Sequence, residues 1–394
     1  MDSTLCPSSL SRWRESRPVT ALTVSLKTIA VGLAFLALAC APLSAQDDRS
    51  ETQAFLPAQV RVVSTVPLNG DGNPYGVATV PRHFPPGGLI NPGDILVSNF
   101  NSSSGLQGTG TTIVRIQASG PASQFFGGTA PLGLTTALNV LRAGFVLVGN
   151  FPSPDLSGSC TTAGDGSILV INRNGQQVGN PITDATIKGP WDSALIDEGT
   201  SAKLFVANGL TGTVTRLDLA VSPGGVALTK ATTIAKGYGH QCDPVTFVDA
   251  PTGLVYDSKS DILFVASTVD NAVFAVSDAK GRTTAVNMGK LIYEDPKHLH
   301  GALGMEMATN DHLLVSNNDA AQINPDPNQP SEIVEFTKEG KFVRQISVDQ
   351  NFGGAFGLDV ARFDGTARFA FVDDNNNSLS IWIFPLPRAT GDED

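Results

Sequence analysis

Short apolar runs rich in β-branched and aromatic residues recur along this chain after residue 59, and Gly, Asn and Asp separate them. Runs of this length, bounded by turn-forming residues, predict β-strands rather than helices. Each repeat opens with a short strand that usually carries a glycine, and these openings are residues 74–78, 131–135, 190–194, 251–255, 302–306 and 355–359. They recur at intervals of about 50 to 60 residues, which suits one four-stranded unit with long loops.

Two further strands follow every opening. The second strands end in Asn, Asp or Ser and are residues 95–99, 146–150, 204–208, 263–267, 313–317 and 369–373. The third strands are residues 112–116, 167–171, 213–217, 272–276, 332–336 and 379–383. Fourth strands have a weaker pattern, as at 232–235 and 342–346. Because one such sheet cannot bury both of its faces alone, six of them predict a ring of sheets, a β-propeller.

The two ends of the repeat region indicate how the ring closes. The sixth repeat stops after its third strand, whereas a spare apolar strand at 59–66 precedes the first repeat. Pairing that strand with the sixth repeat would supply its missing outer strand and cover an open sheet edge. The sequence therefore predicts an all-β fold, a six-bladed propeller of four-stranded blades closed by an N-terminal strand in the last blade.

The repeat resembles that of NHL-type propellers, in which a strand after Pro-x-Gly leads to Val-Ala-Asp/Asn and then to Asn-Arg-Ile. The nearest matches are Val206-Ala207-Asn208 and the segment 266–273, and the resemblance covers all six repeats. The Arg of the family pattern survives only at Arg115 and Arg216, and the repeats are longer than is usual in that family. The resemblance implies the fold, but propellers of this type do very different jobs, so it leaves the function open.

The N-terminal residues predict an export signal. Basic residues precede an apolar run at 28–39, and small residues then lead to Ala45 and a polar stretch. This order is typical of a secretory signal peptide, and the run is too short to span a bilayer. We therefore expect a signal peptide at 1–45, a linker at 46–58, the propeller at 59–387, an acidic tail at 388–394, and a periplasmic or secreted protein. Lipid attachment at Cys40 is the alternative.

Composition and charge narrow the function. The formal net charge is −11, which argues against nucleic acid and anionic membrane surfaces as partners because these require clustered Lys and Arg. No stretch after the signal is long and apolar enough to span a membrane. Processing would leave Cys160 and Cys242, and an even number of cysteines in an exported chain predicts one disulfide between them. Two buried free thiols are the alternative.

Three of the five histidines fall in loops on one predicted rim, and they are His240, His298 and His300. A His-x-His pair on an extended stretch places both imidazoles on one side, an arrangement that suits Zn²⁺. Some NHL-type enzymes that cleave modified peptides hold a metal with inter-blade histidines, although here no third loop supplies one. Ordinary solvated or hydrogen-bonded loop histidines are the alternative interpretation.

Two carboxylates break the repeat pattern in the innermost strands. Glu306 and Asp359 stand where the first four repeats carry Ala, Thr, Ala and Val, so both are expected beside the central channel. Unpaired buried charge is costly, so these groups need a cation, an Arg or a shared proton, and Ca²⁺ would serve. Propeller lactonases of the senescence-marker type hold a divalent ion in that channel, but their Glu in the first blade is replaced here by Ala78. Capping of local amides or contact with channel water is the alternative.

Tyr75 and Trp191 fall in entry loops, where they could line a ligand mouth or pack within the rim. No serine-hydrolase or Cys-His signature is present. The first functional hypothesis is therefore an exported module that binds a protein, peptide, glycan or small molecule through its loop-rich rim. The second is a metal-dependent hydrolase or lyase, lactonase-like or peptide-lyase-like, with Ca²⁺ or Zn²⁺ as the cofactor, and the third is a structural protein of the cell envelope.

Overall fold

The computed structural model describes residues 61–318, 320–322, 328, 330–363 and 365–386. The predicted signal peptide, linker and acidic tail lie outside these residues. Six sheets of the described chain, almost entirely antiparallel, form a six-bladed propeller, as the sequence predicts. Within the described residues the only helix is a single 3-10 turn at Cys160–Thr162, so no helix there is long and apolar enough to cross a membrane.

Blades 1 to 3 follow each other along the chain, and strands are numbered in chain order. Blade 1 comprises β2 (Gly72–Thr79), β3 (Ile95–Asn101), β4 (Thr112–Ile116) and β5 (Ser123–Gly127). Blade 2 comprises β6 (Leu134–Leu141), β7 (Phe145–Asn150) and β8 (Ser167–Asn172). Blade 3 comprises β9 (Pro190–Asp197), β10 (Ser201–Asn208), β11 (Thr213–Ser222) and β12 (Gly225–Lys236), with the short β18 (Val286–Asn287) added in parallel.

The second half of the ring begins after a small hairpin, β13 (Gln241–Asp243) and β14 (Phe247–Asp249). Blade 4 comprises β15 (Pro251–Asp257), β16 (Ile262–Ser267), β17 (Ala272–Ser277) and β19 (Lys290–Glu294). Blade 5 comprises β20 (Ala302–Met307), β21 (Leu313–Asn317), β22 (Glu332–Phe336) and β23 (Phe342–Ser347). Blade 6 comprises β24 (Ala355–Phe363), β25 (Thr366–Asp373), β26 (Ser378–Pro385) and β1 (Arg61–Ser64).

The N-terminal strand closes the ring in the predicted place. β1 pairs antiparallel with β26, with Val63 opposite Leu379, and so supplies the outermost strand of blade 6. The guanidinium group of Arg61 extends the closure to blade 1, where it donates to the carbonyls of Gln117 and Gly120 at 2.8 and 2.6 Å. The first and last blades are thereby joined by both backbone and side-chain hydrogen bonds.

The prediction of four strands per blade is confirmed for most of the ring, but blade 2 has only three. Its fourth strand is reduced to two isolated bridges, which pair Ile168 with Ile182 and Ile171 with Gln177. The segment that would form it, at 176–182, is rich in Gly, Gln and Asn. Its β-branched residues are Val178 and Ile182 alone, so its strand propensity is low. The edge of β8 is nevertheless covered, because Val178 donates its N–H to the carbonyl of Val170.

The repeated glycine of the innermost strands has a packing reason. A Cβ atom added at Gly357 would lie 1.9 Å from the carbonyl oxygen of Tyr75, and one added at Gly304 would lie 2.6 Å from that of Phe356. At these two positions the innermost strand approaches the backbone of the neighbouring innermost strand too closely for a side chain. These close approaches pack the innermost strands of blades 5, 6 and 1 tightly around the channel.

Candidate functional site

One end of the channel is filled by aromatic side chains. They come from the starts of innermost strands, from the ends of second strands or the residue just after them, and from the β13–β14 hairpin, and they are Tyr75, Phe100, Phe151, Trp191, Phe247 and Phe356. The ring of Tyr75 stacks on those of Phe356 and Phe100, with centroids 4.4 and 4.7 Å apart. Since these residues belong to blades on different sides of the ring, their cluster crosses the propeller axis and closes this end.

Tyr75 and Trp191 are both part of this aromatic cluster. Their exposed fractions are 2% and 1%, and Trp191 contacts Phe100 edge-on with centroids 5.3 Å apart. Both side chains therefore pack in the closed end of the channel, and in this structure neither one faces an open mouth. Their position corresponds to packing within the rim, the alternative to lining a ligand mouth.

A polar cavity of about 200 Å³ lies farther along the innermost strands, beyond the aromatic cluster. Three carboxyl groups line it, those of Asp192, Glu306 and Asp359. The two that the sequence singles out are thus brought together in the channel, on adjacent blades. Among the described residues that line this cavity there is no Lys, Arg or His. The cavity lining therefore concentrates acidic groups.

Asp192 is the member of this group that sequence reasoning missed. It occupies the position at which most innermost strands carry the repeat glycine. This interruption of the glycine pattern is the feature of the sequence that could have identified Asp192. Blade 3 accommodates a side chain there because the carboxylate accepts the N–H of Leu254, on the innermost strand of blade 4, at 2.8 Å. The acid thus replaces a close backbone approach with a side-chain hydrogen bond between blades.

Burial controls the protonation of the first two acids. Desolvation raises the pKa of Asp192 to about 7, although the backbone N–H groups of Leu254 and Ser193 oppose the shift. Desolvation also raises the pKa of Glu306 well above its usual range, and repulsion from Asp359 and Asp192 adds to this. The N–H of Met307, 2.7 Å from Oε1 of Glu306, only partly compensates. Burial and the two neighbouring acids thus favour the protonated form of Glu306.

Asp359 has more support for its ionised form. Desolvation raises its pKa too, but the hydroxyl and N–H of Thr79 and the positive charge of Arg368 act in the opposite direction. The Thr79 hydroxyl donates to Oδ2 of Asp359 at 2.5 Å. Glu306 and Asp359 thus have contrasting surroundings, since one is repelled by two acids and the other is hydrogen-bonded across the boundary between blades 6 and 1.

The opposite wall of the cavity supplies neutral polar groups. The Asn139 amide donates to the hydroxyl of Ser193 at 2.6 Å, and both residues line the cavity. Thr136 also lines it and donates its hydroxyl to the carbonyl of Trp191, a member of the aromatic cluster. The cavity therefore has two acids on blades 5 and 6, and a third acid together with neutral hydrogen-bonding groups on blades 2 and 3.

The three rim histidines lie elsewhere and do not meet at one point. His298 belongs to a turn rather than an extended stretch, because the carbonyl of Asp295 accepts its N–H and the Asp295 carboxylate lies 2.6 Å from its Nδ1. Its ring stacks on Phe342, with centroids 3.8 Å apart. His300 is buried, which lowers its pKa, and the Nδ1 atom of His240 lies 3.3 Å from the carbonyl of Tyr238.

The predicted disulfide is present and lies at the closed end. Cys160 and Cys242 are bonded, with their Cα atoms 5.4 Å apart. The bond joins the long loop after β7 to the β13–β14 hairpin, which contributes Phe247 to the aromatic cluster. The disulfide therefore holds together two of the segments that seal this end of the channel.

The residues present allow a test of the predicted metal sites. Carboxyl, amide and hydroxyl oxygens around the cavity are the kinds of donor that Ca²⁺ prefers. Among the residues that the structure describes, however, no group of three or more His, Cys, Asp or Glu side chains is arranged so that it could hold a metal ion. The donor chemistry thus suits a hard cation, whereas the arrangement of the described side chains does not form a ligand cage.

Comparisons with known proteins agree with the fold. No family model and no curated protein match the chain. Among solved structures, a candidate gluconolactonase is 12% identical over 85% of this chain and 96% of its own, with a TM-score of 0.52. A candidate oxidoreductase (glucose dehydrogenase) from Thermus thermophilus is 14% identical over 83% and 100%, with a TM-score of 0.48. A chain of a nidogen–laminin complex is 10% identical over 68% and 88%, with a TM-score of 0.43. At these identities the likeness to the first structure concerns the propeller fold alone.

Proposed function

We propose that the channel cavity is the active site of a hydrolase that acts on a small cyclic ester or a similar neutral substrate. The observation that carries the proposal is the pair Glu306 and Asp359, two buried acids in one cavity with different partners: Glu306 is repelled by two other acids, whereas Asp359 accepts hydrogen bonds from Thr79. Such pairs suit general acid–base chemistry, in which one group gives a proton while the other takes one. The export of the protein and its kinship to NHL-type propellers are part of the same proposal.

The reaction assigns one role to each acid. Asp359 takes a proton from a water molecule, whose oxygen forms a bond to the ester carbonyl carbon. Glu306 gives its proton to the ring oxygen as the bond between that oxygen and the carbonyl carbon breaks. The product is a hydroxy acid, and the reaction leaves Asp359 protonated and Glu306 ionised. Proton exchange with water then returns both acids to their starting protonation states. Asn139 and Ser193 are placed to hold the substrate by hydrogen bonds.

The size of the cavity limits the substrate. A volume of about 200 Å³ corresponds to roughly six or seven water molecules, which is room for a five- or six-membered lactone ring but not for a peptide or glycan chain. The larger ligands of the rim hypothesis would have to bind outside it. The likeness to a candidate gluconolactonase is compatible with this substrate class, and the proposal does not depend on it.

The test is hydrolysis of a panel of small lactones and esters by the wild type, Glu306→Gln and Asp359→Asn. The matched control is Glu294→Gln, which makes the same change at an exposed glutamate of blade 4. We expect each channel variant to lose about 100-fold or more in kcat and the control to retain it. Full activity in Glu306→Gln, or no hydrolysis of any lactone or ester, would contradict the proposal.

A metal-dependent form of the hydrolase is tested by the same assay. Treatment with a chelator and refilling with Ca²⁺ or Zn²⁺ separates acid–base catalysis by Glu306 and Asp359 from catalysis that requires an ion. Activity that survives the chelator supports the carboxyl pair alone. Activity that is lost and then restored by one ion contradicts the metal-free reaction and assigns that ion as the cofactor.

The rim supplies the observation that favours the second candidate function, a binding module. Large apolar side chains are exposed beside the disulfide, with exposed fractions of 37% for Leu106, 53% for Leu156 and 66% for Val245. The Gln107 amide donates to the carbonyl of Val245 at 2.7 Å, so the loops that carry these side chains are connected. Exposed apolar side chains grouped in this way are typical of interaction surfaces.

This candidate is tested by isolating partners from the envelope fraction of the source cells with the wild type and two variants. Val245→Asp places a charge within the exposed rim group. Ile383→Asp is the matched control, because Ile383 is 59% exposed on blade 6, outside the rim. A partner that is lost with the first variant and kept with the second supports the module. Equal retention by both variants, or no partner, contradicts it.

A further inference from the structure

A second and larger cavity, of about 710 Å³, lies on the outer part of blade 4, away from the channel. It forms because the fourth strand of this blade is short. β17 pairs with β19 only from Ala272 to Ala275, so the last two residues of β17 have no strand beside them on this side. The end of the sheet is therefore left open where a longer fourth strand would lie.

The connection from β17 to β19, residues 278–289, does not cover this opening because it is attached to blade 3. The Arg216 guanidinium donates to the carbonyl of Arg282 at 2.8 Å. The hydroxyl of Tyr238 donates to the carbonyl of Met288 at 2.6 Å. Val286 pairs with Ala235 in the parallel β12–β18 ladder. Since both ends of the connection are anchored, the opening is a fixed part of the structure.

The floor and the mouth of the cavity differ in chemistry. The floor is apolar and consists of Ile262, Phe264, Ala275, Val276, Val286 and Ile292. Around the mouth lie three cations and two carboxylates, namely Arg282, Lys290, Lys338, Asp257 and Glu339. A volume in this range, with an apolar lining and a few polar groups, is typical of sites for small organic ligands.

One cation at the mouth, Lys290, has no ion pair within the described residues, whereas Lys338 and Arg282 are both paired with carboxylates. Lys338 lies 2.8 Å from the Asp257 carboxylate, and this pair is neutral as a unit. Arg282 donates to the carbonyl of Ser277 at 2.6 Å, which fixes its position, and it pairs with the Asp278 carboxylate at 3.6 Å, which is 83% exposed. The Lys290 ammonium group is exposed and has no ion pair or hydrogen bond within the described residues. Glu339 is the one acid at the mouth that opposes it.

We propose that this cavity binds an amphipathic monoanion, a carboxylate with an acyl chain of medium length, with the chain on the apolar floor and the head group against Lys290 and Arg282. The apolar floor supplies most of the binding free energy by burial of the chain, and the cations select the charge of the head group. The proposal concerns a site separate from the channel and does not depend on the hydrolase activity.

Calorimetric titration of the whole mature protein with dodecanoate, below its micelle concentration, tests the proposal. The comparison ligands are 1-dodecanol, which has the same chain without charge, and dodecyltrimethylammonium, which has the opposite charge. We expect dodecanoate to bind to one site and the other two ligands to bind at least about fivefold more weakly. No binding of dodecanoate, or equal binding of all three ligands, would overturn the proposal.

Two variants locate the site. Lys290→Glu reverses the charge at the mouth and should weaken dodecanoate binding at least about fivefold while leaving 1-dodecanol unchanged. Lys297→Glu, an equally exposed residue that does not line the cavity, is the matched control and should bind like the wild type. Ala275→Leu fills part of the floor and should weaken both dodecanoate and 1-dodecanol. Undiminished dodecanoate binding by Lys290→Glu and Ala275→Leu would place the ligand elsewhere and refute the assignment.

Discussion

Replacing Asp192 by Asn removes one proton-binding group from the channel and leaves its shape almost unchanged. The Asn side-chain oxygen can still accept the N–H of Leu254, which lies 2.8 Å from the carboxylate in the wild type. The variant therefore isolates the energetic effect of a buried acid whose pKa is raised to about 7. We expect the substitution to change the pH dependence of stability rather than the fold.

The sign follows from proton binding in the two states. Below about pH 4 the folded and unfolded chains both hold the Asp192 proton, so the raised pKa changes nothing. Between about pH 4 and 7 the unfolded chain loses the proton while the folded protein keeps it, so the free energy of unfolding falls as the pH rises. A shift from 3.8 to about 7 corresponds to about 4 kcal/mol, an upper bound because cavity water would screen the charge.

The assay is urea unfolding at about pH 4.5 and about pH 8 for the wild type, Asp192→Asn and Asp278→Asn. Asp278 is the matched control, because its side chain is 83% exposed. Asp192→Asn should gain stability relative to the wild type as the pH rises, by as much as about 4 kcal/mol, and the control should gain nothing. If the curves of the wild type and Asp192→Asn are parallel across this range, the buried-acid account of the channel is refuted.

Three further predictions concern the structures that surround the cavity. Replacing Cys160 and Cys242 by Ser should lower the free energy of unfolding by about 4 kcal/mol, because the bond links residues 82 positions apart, and equal urea midpoints for reduced and oxidised wild type would contradict this. Trp191→Ala should cost about 3 to 5 kcal/mol, since the indole is 1% exposed within the aromatic cluster, and a loss below about 1 kcal/mol in urea unfolding would mean that the cluster does not close the channel. A chain that begins at Thr65 lacks β1 and should be destabilised by roughly 2 to 4 kcal/mol in thermal unfolding, whereas an unchanged Tm would contradict closure by this strand.

The fold was predictable because each repeat has a recognisable local pattern of apolar strands and turn residues. Runs such as Leu204–Asn208 are short, β-branched or aromatic and bounded by turns, and the spare strand before the first repeat had only one open edge to pair with. The fourth strand of blade 2 was not predictable in this way. Its residues cover the edge of β8 through isolated bridges, which depend on tertiary contacts rather than on strand propensity.

The candidate site was predictable in part. Glu306 and Asp359 differ from their equivalents in other repeats, and that difference placed them at the channel. Asp192 was missed because it stands in the glycine position, where its side chain is accommodated through the hydrogen bond to Leu254. The positions of Tyr75 and Trp191 could not be read from the sequence, because an entry loop that lines a mouth and one that fills the axis have the same local pattern.

The account of the channel rests on Glu306 holding a proton at neutral pH, and carbon-13 NMR of glutamate carboxyl groups measures this directly. With ¹³C-labelled glutamate, the account predicts one carboxyl resonance that remains at the protonated position at neutral pH and is absent from Glu306→Gln. If every glutamate carboxyl instead titrates near its usual pKa, Glu306 is ionised at neutral pH and cannot serve as the proton donor of the proposed reaction.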